Sequence, residues 1–444
     1  MSVRNCANIG LVFFPAFDWA ISPTHPEREE RLLYTYDQIA EEGILDLAGI
    51  REFRPWPALD EHIERAHVCV PGASSACPDP HRIAAGGCMA ASDLVMSGEV
   101  TRAFALMRPP GHHAMTCVHG SRGFCTVNNE AIMVEHMRSR RRNLRIAIVD
   151  TDAHHADGTQ DIFFNDPDVL HISIHQDGRT LYPGTGFIGE RGGPGAFGNT
   201  INVPLPPGTG DAGLLYVIEH LVMPILADWK PDYIINAAGQ DNHVSDPLTN
   251  MCVTAYGYAE LTRLLAPDIV VLEGGYSIEG ALPYVNLGIL LALAGLNTSR
   301  VRGPGADSSP PPQPVEVTRE IAHSVDLLMH MWATRGETPR EELFGSGPFY
   351  TRRRRIYYDT DSIDEVQVDQ VRLCDACPGW RHIASRAHLL QSGAEQSIAA
   401  SILPRRACAR CRAEARAQHE RDRHSPDFGH SYFRDPDFDT VESA

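Results

Sequence analysis

Five short apolar, β-branched runs recur along this chain at 103–107, 144–149, 169–174, 233–237 and 269–272, with stretches of helical spacing such as 213–227 and 253–265 among them. Strands that alternate with helices call for a mostly parallel α/β sheet with helices on both faces. Each run is followed at once by unusual residues: RPPGHH (108–113), DTDAHH (150–155), His175, GQD (239–241) and EGGY (273–276). Ligands of open α/β sheets sit outside the carboxyl ends of the strands. Five separate loops are therefore expected to converge on one site.

The densest of these segments is Asp150-Thr-Asp-Ala-His-His-Ala-Asp-Gly-Thr-Gln160. Side chains alternate along a strand and its extension, so Asp150, Asp152 and His154 point one way. Two acids and an imidazole crowded after a buried strand are costly unless an ion offsets the charge. A catalytic zinc commonly takes three protein ligands and leaves a position open. Asp152 and His154 supply two, and Asp241, at another strand end, is the natural third; a helix N-cap or turn residue is its alternative. The tandem His112 and His113, aimed by a Pro-Pro-Gly turn, offer a general base. Asp150 and Asp157 are candidate partners that would hold their second nitrogens. Tyr276, after two glycines, can donate to a developing oxyanion, or is simply a half-buried tyrosine.

Fifty-seven acidic against 39 basic residues give a formal charge of −18, which argues against direct nucleic-acid binding and leaves a cationic substrate open. Hydrophobic residues make up 43 %, enough for a substantial core. The basic residues are nearly all arginine; Lys230 is the only lysine. The 11 cysteines are mostly scattered singly, as in a reduced protein, so a soluble, cytoplasmic location is expected. Residues 9–14 read as a first strand rather than a signal peptide, and the longest apolar stretch, 281–296, contains Pro283 and Asn286 and is short for a membrane span.

After residue 296 the pattern fades. Residues 299–314 are rich in Pro, Gly and Ser and read as a loop or linker, and 315–335 has helical spacing. From Tyr350 a small hairpin leads to Cys374-Asp-Ala-Cys377, and 30 residues later to Cys408-Ala-Arg-Cys411. Paired C-x-x-C knuckles point to a structural zinc held by four cysteines; unrelated surface thiols or a redox pair are the alternatives. Three units are thus expected: a catalytic domain over 1–335, a small zinc-ribbon-like region over 350–415, and a mobile tail over 419–444.

Taken together, HPEREER (25–31), RPPGHHA (108–114), GFCTVNN (123–129), DTDAHHADGTQ (150–160), SIHQ with LYPGTG (173–176, 181–186), GQDNHVSDPL (239–248) and LEGGY (272–276) resemble the histone deacetylase family of zinc amidohydrolases. The resemblance covers about residues 9 to 335. It implies a three-layer α/β/α arginase–deacetylase fold and hydrolysis of an N-acetyl amide, most plausibly acetyl-lysine in a protein or peptide. Acetylpolyamines and other small acetylated amines fit the same chemistry. An arginase-type dimanganese hydrolase and a catalytically silent acyl-lysine reader are the other readings, and iron in place of zinc and self-association stay open.

The resemblance assigns Asp152, His154 and Asp241 as zinc ligands, His113 as general base and His112 as its electrostatic or acid partner. Asp157 is then the carboxylate for His113 and Asp150 that for His112, and Tyr276 polarises the carbonyl. Phe124, Tyr182 and Gly275 line the acyl-lysine channel, and Arg31 lies below it. Potassium is implied at Asp150, Asp152, His154, Ser173 and Ile174, mostly through backbone carbonyls, with an outer site near Phe163, Asp166 and Val169. Ala156 and Glu29 depart from the family pattern without removing a catalytic group. Leu248 stands where polyamine-specialised relatives carry a glutamate, and the stretch 69–81 lacks the aspartate that pins substrate backbone in many members.

Overall fold

The structure, a computed structural model, describes residues 7–14, 19–22 and 24–444. Its first strands are β1 (Ile9–Phe13), β2 (Ile50–Phe53), β3 (Val68–Cys69), β4 (Arg102–Leu106) and β5 (Cys117–Val118). There follow β6 (Ile146–Asp150), β7 (Val169–Gln176), β8 (Thr200–Leu205), β9 (Tyr233–Ala238) and β10 (Ile269–Leu272). Eight of these form one sheet in the order β2-β1-β4-β10-β9-β6-β7-β8, and every pairing in it is parallel. The pair β3–β5 stands apart.

All five expected strands are present. Their apolar runs are continuous rather than alternating because the sheet is covered on both faces. Along β6, Ala147 and Val149 enter one core while Ile146 and Ile148 enter the other. Helices Glu30–Glu41, Ala255–Leu265, Leu282–Leu293 and Val315–Ala333 contribute to the first core, and Asp79–Met96 and Asn129–Arg140 to the second. The expected helix at 213–227 runs from Asp211 to Trp229 and carries a π turn over Ile218–Val222. The turn falls just before Pro224, which has no N–H to donate back.

Residues 299–314 are a loop pinned to the domain rather than a free linker. Asp307 within them is buried and accepts from His243 Nε2 (3.0 Å) and the Ala255 N–H (2.8 Å).

The C-terminal part is larger than a zinc ribbon. Strands β11 (Phe349–Tyr358), β12 (Ile363–Arg372), β13 (Arg381–Leu389), β14 (Ala394–Ile402), β15 (His430–Asp435) and β16 (Thr440–Ser443) form a second sheet in that order. The first four make an antiparallel meander that opens with the expected hairpin. The helix Ala409–Asp422 then returns the chain so that β15 pairs parallel to β14. The expectation of a mobile tail over 419–444 is therefore corrected. Tyr432 and Phe433 are buried, Arg65 pairs with Asp439 (2.8 Å) and Arg416 with Glu442 (2.6 Å). The segment looked unstructured because its hydrogen-bonding partner lies some thirty residues upstream, beyond any local period.

The second sheet is fastened to the first domain by buried polar contacts. Tyr358 donates to the Cys117 carbonyl (3.0 Å) and Tyr432 to the Cys69 carbonyl (3.0 Å). Asp161, fully buried beneath the sheet, receives Arg381 (2.7 Å), Arg354 (2.8 Å) and Arg352 (2.9 Å). Burial would raise its pKa, yet the three guanidiniums hold it well below the usual carboxylate range. Asp161→Asn would leave those cations short of an anion, at a cost of about 3–5 kcal/mol. An unfolding free energy within about 1 kcal/mol of wild type would contradict that role.

Candidate active site

The chain leaves β6 at Asp150 and continues its pairing for one residue, the Thr151 N–H donating to the Ala237 carbonyl (2.8 Å). The next turn is closed by its own acids: Asp152 N–H donates to Asp150 Oδ1 (3.0 Å) and His154 N–H to Asp152 Oδ1 (2.8 Å). From the end of β9, Asp241 reaches across and its Oδ1 accepts the Ala153 N–H (2.7 Å). His154 Nδ1 then lies 3.0 Å from Asp152 Oδ1 and 2.9 Å from Asp241 Oδ2. One donor atom from each of Asp152, His154 and Asp241 falls within 4.8 Å of the others, a fit for a small divalent cation. Burial together with the Asp152 charge pushes the Asp241 carboxyl up to about 6, the cost a bound cation would offset. Gly274 is required here, since a Cβ on it would strike the Asp241 and Asp152 carboxylates.

Beside this triad the two imidazoles stand with ring centroids 4.2 Å apart, both almost fully buried. His112 Nδ1 meets Asp150 Oδ2 at 3.2 Å and His113 Nδ1 meets Asp157 Oδ1 at 2.9 Å. Burial lowers the His112 pKa, but the Asp152 and Asp150 carboxylates overcome it and push it up to about 10. His113 is held well below 6.5 by burial and by the neighbouring His112 and Arg122 charges. The two rings are thus driven to opposite protonation states. That asymmetry suits one acid and one base.

Tyr276 is buried; its N–H donates to Asp246 Oδ2 (2.7 Å), and its ring lies between Phe124 (5.6 Å) and the Arg31 guanidinium (5.0 Å). Gly275 before it has φ +122°, a conformation L side chains rarely adopt, and its carbonyl accepts Arg31 Nε at 2.8 Å. Arg31 and Arg108 share the buried Glu27 carboxylate. Phe124 and Tyr182 are half-buried above the triad, with the Tyr182 ring 5.1 Å from His113 and 6.4 Å from His154. Together these side chains describe a narrow aromatic passage ending on the acid–histidine triad.

Not every strand-end residue arrives here. His175 lies inside β7 rather than after it, bonded to Ser173 Oγ (2.9 Å) and the Gly186 carbonyl (3.0 Å), and is corrected to a structural residue. Ser173 is the register partner of Asp150 in the adjoining strand, with Ile174 next to it. At the outer position, the Asp166 carboxylate is engaged by Arg138 (2.6 Å).

Sequence reasoning passed over several supporting groups. Glu273 Oε2 accepts the N–H of Gly111 (2.9 Å) and of His112 (3.1 Å), so it aims the histidine pair. Arg122 pairs with Asp157 at 2.6 Å. Glu273 and Asp246 stood inside recognisable motifs and could have been found there; Arg122 carried no signal.

The four cysteines meet at the far end of the second sheet. Their sulfurs lie within 4.8 Å of one another, with Cys374 Sγ and Cys408 Sγ at 3.7 Å. That spacing matches the edge of about 3.8 Å of a tetrahedron with metal–sulfur bonds of about 2.3 Å. It is far from a disulfide. Burial would raise the Cys374 thiol, but the N–H groups of Ala376 and Cys377 pull it down to about 6.

Residues 71–286 match the histone deacetylase domain. A protein of Archaeoglobus fulgidus named "Probable deacetylase" is 45 % identical over 310 residues, covering 64 % of this chain and 85 % of that one. The histone deacetylase-like amidohydrolase of Pseudomonas aeruginosa is 36 % identical over 251 residues, 54 % of this chain and 64 % of that protein. Among solved structures, the crystal structure of the HDA15 HD domain superposes with a TM-score of 0.63 at 27 % identity, covering 74 % of this chain and 97 % of that one. With its all-parallel eight-stranded sheet and these relatives, the chain belongs to the histone deacetylase family and is a hydrolase of the deacetylase and amidohydrolase type.

Proposed function

We propose that the protein removes the acetyl group from a lysine side chain in a protein or peptide, with one zinc ion held by Asp152, His154 and Asp241. The observation that carries this reading is the convergence of those three donors beside the His112–His113 pair, at the foot of a passage flanked by Phe124 and Tyr182. Leu248, uncharged and 39 % exposed close to Asp246, favours a peptide over a polyamine cation.

When bound, the metal supplies Lewis acidity toward the amide oxygen and the attacking water. The residues do the rest. Asp157 holds His113 Nδ1, leaving Nε2 to take the proton from water; the charged His112 stabilises the negative charge that develops. Tyr276 donates its hydroxyl hydrogen to the carbonyl oxygen as that oxygen becomes anionic. A protonated imidazole then returns a proton to the leaving amine, and acetate and free lysine result. Two further elements belong to this reading: a structural zinc at Cys374, Cys377, Cys408 and Cys411, and potassium at Asp150, Asp152, His154, Ser173 and Ile174. A reducing, cytoplasmic location belongs to the same reading, since the ten cysteines among the described residues form no disulfide and four of them are offered to the metal.

Acetate release from an acetyl-lysine peptide by purified protein tests the activity directly. Tyr276→Phe is expected to lower kcat by about 10²–10³-fold, the size of losing one oxyanion donor, while metal content stays intact. An unchanged rate would remove Tyr276 from the mechanism.

A further inference from the structure

The β11–β12 turn of the second sheet reaches the mouth of the passage. Four consecutive residues of the loop carrying Phe124 are tied to it or to the end of β11. Ser121 N–H donates to Asp361 Oδ2 (2.6 Å), Arg122 Nε to the Tyr357 carbonyl (3.2 Å), Gly123 N–H to Asp359 Oδ1 (2.9 Å) and Phe124 N–H to Thr360 Oγ1 (3.5 Å). The Tyr182 hydroxyl donates to the same Asp359 Oδ1 at 3.0 Å. One carboxylate oxygen therefore joins the backbone beneath one aromatic wall to the hydroxyl of the other.

The loop needs such a tie. Phe124 has φ +68°, unfavourable for a bulky side chain, and a Cβ on Gly123 would collide with the His113 ring. The backbone at 123–124 thus runs hard against the base in a conformation it would not choose alone. The bonds that hold it come from a sheet outside the residues matched to the deacetylase domain.

We propose that the C-terminal sheet is a working part of the substrate channel, and that Asp359 is a positioning residue which sets the separation of Phe124 and Tyr182. Asp359 touches neither the metal ligands nor the histidine pair. Its loss widens the passage around the lysine methylenes and weakens substrate binding more than it slows the buried chemistry below. The inference rests on the acyl-lysine reading for its substrate.

The test is steady-state kinetics on an acetyl-lysine peptide. Asp359→Ala removes a charge-assisted acceptor and is expected to raise KM about tenfold with kcat within about threefold of wild type. Asp359→Asn keeps an Oδ1 acceptor for Gly123 and Tyr182 and is expected to bring KM back to within about threefold. Tyr182→Phe cuts the bond from the other side without touching the sheet, and combined with Asp359→Ala it adds less than its separate effect because the two share one interaction. An active wild type whose KM moves less than about twofold in Asp359→Ala overturns the proposal, as does Asn being as damaging as Ala. Should Asp359→Ala not fold, an unchanged KM in Tyr182→Phe does the same. No acetate from the wild-type enzyme would instead bring down the acyl-lysine reading.

Discussion

Replacing His113 by alanine is expected to lower kcat by about 10²–10⁴-fold, the range for removing a positioned general base. Metal content should not change, because the Asp152 and Asp241 carboxylates are held by the backbone N–H groups of Ala153, His154 and Gly274, not by His113. The pH profile separates this loss from a folding defect. A base works only when unprotonated, so activity falls as the pH drops through its pKa. Burial, the charged His112 and Arg122 hold His113 below 6.5, so the wild-type acid limb is expected below pH 6.5. That limb should vanish from the residual activity of the variant. A fall of less than about tenfold, or an acid limb that survives, would give the role of base to another group. His112→Ala makes the contrast: burial lowers the His112 pKa, but the Asp152 and Asp150 carboxylates raise it further and favour its charged form, which leaves His113 as the better resting base.

The division between what was legible and what was not follows the range of the interactions. β6 and β10 announced themselves because strands covered on both faces must be apolar throughout, and the ligands announced themselves because catalysis clusters them just past those strands. Asp152, His154 and Asp241 come from two strand ends, and their meeting followed from topology before any distance was known. His175 misled because strand length is not written in composition: β7 continues through Gln176, so the imidazole stays inside the sheet. Residues 430–443, within the expected tail over 419–444, mislead for the complementary reason. Their polar sequence is ordered by a parallel neighbour and by Arg65, Arg412 and Arg416, all distant or on another element. Asp359 was invisible on the same grounds. An aspartate in a hairpin turn has an ordinary local explanation, and only the packing of one sheet against the other brings it to Tyr182.

Cys374→Ser with Cys408→Ser is expected to remove one of two metal equivalents per chain and to destabilise the second sheet severely. Zinc bound by four thiolates contributes folding free energy on the order of 10 kcal/mol in small zinc-binding peptides. Here the cluster joins the turn after β12, through Cys374 and Cys377, to the first turn of the helix Ala409–Asp422, through Cys408 and Cys411. That helix is what returns the chain to lay β15 beside β14, so without the metal the last two strands lose their anchor. The cluster and the β11–β12 turn lie at opposite ends of β12, about 33 Å apart for a ten-residue strand. Loosening the cluster should therefore raise KM only through the sheet, and less than Asp359→Ala does. Metal analysis and a thermal melt on the holoenzyme decide the matter. One equivalent in wild type and double variant alike would mean that the sulfurs, though 3.7 Å apart at Cys374 and Cys408, hold no metal.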